Sequence, residues 1–174
     1  MSKTSLKKLL SELDRDQLAE VIVELYEARK EAREYLEYFV SPDENTMLEK
    51  YKSVIQKEFF QAKSRPRART SVCKKAVKEF TTLHPSPRNV AELKLHLLEC
   101  LIGYAVSMRS WIKQSVENLM MSALDDTLHY LYANDLMNDM MPRIENMLLT
   151  SKKLKSGLRD GLEEVYDNFW NSVV

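Results

Sequence analysis

Residues 87–107, P-R-N-V-A-E-L-K-L-H-L-L-E-C-L-I-G-Y-A-V-S, decide the fold. Val90, Leu93, Leu95, Leu97, Leu98, Leu101, Ile102, Tyr104 and Ala105 cover more than one face of a helix drawn through them. A helix that is apolar around most of its circumference needs neighbours on several sides. The stretch therefore predicts a central, buried helix with others packed around it. His84-Pro85-Ser86-Pro87 sets its start, with Ser86 suited to the N-cap and Pro87 to the first helical position.

Working outward, the rest of the chain reads as amphipathic helices of period 3.6. A short helix is expected at about 5–13. Asp14, with Gln17 three residues on, has capping-box spacing and opens a long helix to Phe39. Its stripe is Leu18, Val21, Ile22, Leu25, Ala28, Ala32, Tyr35, Leu36 and Phe39, and Ser41-Pro42 ends it. A third helix carries Met47, Leu48, Tyr51, Val54, Ile55 and Phe59 inward. Thr70 or Ser71 is expected to cap the next, which buries Val72, Cys73, Ala76, Val77, Phe80 and Leu83. After the central helix come one at about 111–132, a Met-rich one at 137–149 that Pro142 must start, kink or end, and a last at about 156–170. The expected fold is all-α: seven or eight amphipathic helices in a bundle or helical-repeat-like stack. The 174 residues suit one domain, 1–174, with a possible sub-boundary near 84–87.

Composition agrees with this reading. Three Gly and five Pro leave room for long helices. Formal net charge is zero, so no global field draws the chain to nucleic acid or an anionic membrane. No apolar run is long enough to span a bilayer, and the first residues lack a signal-peptide pattern, so a cytoplasmic protein is expected. Cys73 and Cys100 read as small core residues rather than a disulfide.

Local charge is uneven. Lys63, Arg65, Arg67, Arg69, Lys74, Lys75 and Lys78 face a single acid, Glu79, between residues 63 and 83. Glu117, Asp125, Asp126, Asp135, Asp139 and Glu145 face a single base, Arg143, between residues 114 and 149. Guanidinium groups suit phosphates, and a helix N-terminus follows the 63–69 loop. Those seven cations are the candidate phosphate- or nucleic-acid-binding residues. The competing reading is a solvated loop whose arginines pair with the acidic stretch.

Other chemistry is thinly supported. Asp126 and His129, and Glu92, His96 and Glu99, share helix faces, but a di-iron bundle needs repeated Glu-x-x-His pairs. No metal or cofactor is expected. There is no nucleophile elbow and no phosphate-binding loop, so no enzyme is expected. Cys73 lies on an apolar stripe and reads as filler. The methionines from Met108 to Met147 read as core or as an adaptable face, and Trp111 and Trp170 as core or interface anchors.

The opening L-K-K-L-L-S-E-L-D-R-D-Q-L-A-E-V-I-V-E-L-Y, the segment E-K-Y-K-S-V-I-Q-K-E-F-F, and R-T-S-V-C-K-K-A-V-K-E-F followed by S-P together resemble one family. It is a family of uncharacterised bacterial proteins of similar length, a domain of unknown function. The resemblance implies a bacterial, cytoplasmic, helical protein and carries no activity, cofactor or site. The expected function is a non-enzymatic interaction scaffold that binds a protein or itself as a homodimer. Nucleic-acid or phosphate binding through 63–78 is the alternative.

Overall fold

The computed structural model describes residues 2–41, 43–61, 65–108 and 111–173. Among these it holds nine α-helices and no strand: α1 (Lys3–Glu12), α2 (Arg15–Ala28), α3 (Lys30–Val40), α4 (Glu44–Phe59), α5 (Thr70–Thr82), α6 (Pro87–Ser107), α7 (Gln114–Ala133), α8 (Met137–Ser151) and α9 (Ser156–Val173). The all-α expectation holds, with one or two more helices than anticipated. The chain divides into two compact units, 1–43 and 44–174. Residues 84–87 lie inside the second unit, between α5 and α6.

In the first unit, the Asp14 capping box forms as expected. The Gln17 N–H donates to Asp14 Oδ1 at 2.8 Å, and the Asp14 N–H to Gln17 Oε1 at 3.0 Å. The long helix expected from Asp14 to Phe39 is two helices, broken at Arg29 (φ −133°, ψ 119°). No Gly or Pro marks that position. The break lets α2 and α3 fold against each other. Tyr26 Oη donates to Glu37 Oε1 at 3.0 Å, and the Arg33 guanidinium stands 5.1 Å from the Tyr26 ring centroid. Pairing between the arms overrides the local helical preference of Arg29.

In the second unit, α6 packs against α4, α5, α7 and α8, and α9 closes over α7 and α8. Twelve of the 21 residues of α6 are buried, which makes it the central helix its apolar circumference predicts. Ile55, Phe59, Phe80, Leu93, Leu95, Leu98, Leu101, Met120, Leu128, Leu131, Ile144 and Phe169 are the largest fully buried side chains. Each contributes about 1.5–3 kcal/mol by leaving water. A Cβ at Gly161 of α9 would stand 2.9 Å from Met121 Cε, the movable end of a side chain on α7.

The starts of α5 and α6 are held by distant side chains. Ser86 and Pro87 take the N-cap and first helical positions, but Ser86 makes no cap bond of its own. Its N–H and hydroxyl both donate to Glu44 Oε2, at 3.1 and 2.6 Å, and Asn89 Nδ2 joins them at 2.7 Å. A carboxylate at a helix N-terminus also suits the macrodipole. Thr70 and Ser71 do not cap α5. Its N-cap is Arg69, because Glu58 on α4 supplies the anchoring acceptor instead. Helix α7 ends in a Schellman motif: Asp135 is left-handed (φ 56°), and the Leu136 N–H reaches the Leu131 carbonyl at 2.9 Å. Pro142 neither starts nor ends α8 but lies inside it. No helix among the described residues is long and apolar enough to cross a membrane.

Candidate functional site

Six of the seven basic residues are described, and their surroundings differ. Lys63 lies outside the described residues. Arg69 is clamped by the buried Glu58: Nη2 donates to Oε1 at 2.6 Å, Nε to Oε2 at 3.0 Å, and the Arg69 backbone N–H to Oε2 at 3.2 Å. The clamp holds the Glu58 carboxyl below its usual range, chiefly through the Arg69 side-chain hydrogen bonds. Beside it, the buried Ala68 is left-handed (φ 50°) and donates its N–H to the Glu58 carbonyl at 2.9 Å. Lys113 Nζ donates to the Arg67 carbonyl at 3.2 Å. Residues 67–69 therefore clasp the end of α4 to the start of α5. Arg65 and Arg67 point to solvent, and Lys75 pairs with Glu79 at 3.4 Å.

Lys74 and Lys78 behave differently. One turn apart on α5, they line a cavity of about 420 Å³ with Val77, Lys94, Leu97, Leu119, Ala123, Asp126 and Thr127. Lys94 is buried and ion-paired to Asp126, and its ammonium stands 5.2 Å from the Tyr130 ring centroid. Sequence reasoning missed Lys94, because a lysine on an apolar helix reads as a surface residue.

The acidic stretch meets α6 and its own helix, among the described residues, rather than the basic loop. Arg88 pairs with Asp139 at 2.9 Å, and Lys94 with Asp126. Arg143 bridges Glu92 and Glu99 at 2.6 and 2.8 Å. The residues weighed as metal ligands are thus engaged: Glu92 and Glu99 by Arg143, and His96 by the Lys52 carbonyl at 3.2 Å. Burial lowers the His96 pKa. Among the described residues no cluster of three or more His, Cys, Asp or Glu suits a metal ion. Burial pushes both thiols, Cys73 and Cys100, up to about 12, so neither is a thiolate near neutrality.

Met120, Met140 and Met147 are core residues. Trp111 is not: it is 83% exposed, with the Lys155 ammonium 4.5 Å from its ring centroid.

The feature that the sequence reading missed lies in the first unit. None of the residues of α1, α2 or α3 is buried. Leu6, Leu9, Val21, Ile22, Val23, Leu25, Tyr35, Phe39 and Val40 are all exposed. Between the arms of the hairpin runs a groove of about 530 Å³, lined by Ile22, Val23, Tyr26, Leu36, Glu37, Val40 and Ser41. The signal was present in the sequence. Val21-Ile22-Val23 are three consecutive apolar residues, spread over about 200° of the helix, so the triplet extends beyond a single core-facing stripe.

The chain belongs to the family of unknown function DUF6155, whose profile matches residues 1–170. No curated protein and no solved structure was found to match it.

Proposed function

We propose that this member of a family of unknown function is a non-enzymatic interaction module that docks an amphipathic helix in the α2–α3 groove. The observation that carries the reading is that Ile22, Val23 and Val40 line that groove and stay exposed, in a unit whose helices contain no buried residue. Contiguous exposed apolar surface rimmed by polar residues marks interaction sites. The two free, buried cysteines suit a reducing compartment, and the reading includes a cytoplasmic location. A photo-crosslinking residue at Val23 of the full chain should give a crosslink to another polypeptide, while one at the exposed Ser115 of α7 should not. Val23→Asp should lower capture through a second probe at Val40. Equal crosslinking from Val23 and Ser115, or none from either groove position, removes the reading.

A second reading is favoured by the α5–α6–α7 cavity, where Lys74 and Lys78 face an apolar floor. It takes a phosphate-bearing ligand, with Arg65 and Arg67 exposed nearby in sequence. Binding of a mixed DNA and RNA pool, or of inorganic phosphate, should weaken with salt as counterions are released. Lys74→Glu with Lys78→Glu should abolish it; absence of binding at low salt rules it out.

A further inference from the structure

We propose that the groove between α2 and α3 is filled by helix α1 of a second copy of this chain, so that two copies exchange α1 reciprocally. The inference rests on the reading of that groove as a docking site and names its occupant.

Charge and pattern select the occupant. Helices α2 and α3 carry seven acidic residues against three basic ones. Glu20 and Glu27 stand at i−3 and i+4 from Val23 and so border its side of the groove. Glu34 and Glu37 border the other arm. Helix α1, K-T-S-L-K-K-L-L-S-E, carries three lysines against one acid. Its Leu6, Leu9 and Leu10, with Leu13 just beyond, follow the i, i+3, i+4, i+7 pattern of a groove-binding helix. Lys3 and Lys7 stand along one edge of that stripe.

Two further observations point the same way. Helix α1 is formed and capped, with the Ser5 N–H donating to Ser2 Oγ at 3.2 Å, yet it buries none of its residues. A helix of 10 residues is marginal in water without tertiary contacts. Docking supplies those contacts. The exchange uses the same two surfaces on each copy, so it closes as a two-fold dimer and leaves no open end.

The test is a charge swap in the full chain. Wild type should sediment at twice the 20.4 kDa chain mass at tens of micromolar. Lys3→Glu with Lys7→Glu sets an acidic helix against an acidic groove and should weaken association at least tenfold. Glu20→Lys with Glu27→Lys sets basic against basic and should do the same. An equimolar mixture of the two variants matches both helix–groove pairs and should recover a dimer of mixed composition. That recovery also shows that both variants are folded. A wild type that stays monomeric, a dimer indifferent to both substitutions, or a mixture that fails to recover overturns the proposal. If the wild type is monomeric while the Val23 probe still captures another polypeptide, the groove stands as a docking site and only the self-exchange falls.

Discussion

Helix α6 and the α2–α3 hairpin are built from similar proportions of apolar residues but dispose of them in opposite ways. Helix α6 buries twelve residues among four neighbours, whereas α2 and α3 bury none. An apolar side chain inside a packed unit contributes to folding. The same side chain on an unfilled groove contributes only when something fills it. The two regions should therefore respond oppositely to truncation.

The largest contrast is expected there. Leu98→Ala in α6 leaves a cavity in a fully buried site and should cost about 2–5 kcal/mol in urea denaturation. Ile22→Ala, at a half-exposed groove position, should change the stability of an unassociated chain by no more than about 0.5 kcal/mol. It should instead weaken association in sedimentation. Equal losses of stability would mean that the groove is part of a folded core.

The same comparison divides the basic segment. Arg69→Ala leaves the buried Glu58 carboxylate without its bidentate partner and should lower the thermal midpoint clearly. Arg65→Ala, in the same loop, should leave the midpoint unchanged. A matching fall for both would show that the loop acts through general charge rather than through the Glu58 clasp.

Acid should also separate the regions. Burial holds the folded His96 pKa below its ordinary value, so the unfolded chain takes up a proton first as pH falls. The stability conferred by neutral His96 is complete above about pH 6.5 and is lost as pH drops through the folded value. His96→Gln should flatten that part of the profile between pH 7 and 5. The first unit has no histidine and should show no such step in association.

Much of the fold was legible because periodicity reports burial. The apolar circumference of 87–107 predicts a central helix, and Asp14 with Gln17 predicts the capping box that forms. The break at Arg29 was not legible, since it arises from contacts between Tyr26, Arg33 and Glu37 that no local pattern encodes. Nor was the fate of the cations. Arg69 and Lys78 are nine residues apart and look equivalent in a charge count, yet Glu58, eleven residues before Arg69, takes one into a structural clasp. Whether a charge is neutralised depends on which helices meet, and composition does not carry that. The groove was half-visible in Val21-Ile22-Val23: the apolar stripe takes in Val21 and Ile22 and leaves Val23 outside it, and Val23 is one of the residues that line the groove.

The smallest expected effect concerns how helices end in the two regions. Helix α7 ends with Asp135 in the left-handed region, closed by hydrogen bonds to Tyr132 and Leu131. An L-residue there strains its Cβ, and a carboxylate at a helix C-terminus opposes the macrodipole. Asp135→Gly relieves both and should raise stability by up to about 1 kcal/mol. Helix α2 ends with Arg29 in an extended conformation that any residue adopts. Arg29→Gly relieves nothing there and adds freedom to the unfolded chain, so it should lower stability by about 0.5–1 kcal/mol. The opposite signs follow from backbone geometry alone. If Arg29→Gly also stabilised, the break would be a strained hinge, and the hairpin would owe its shape to that strain rather than to pairing of its arms.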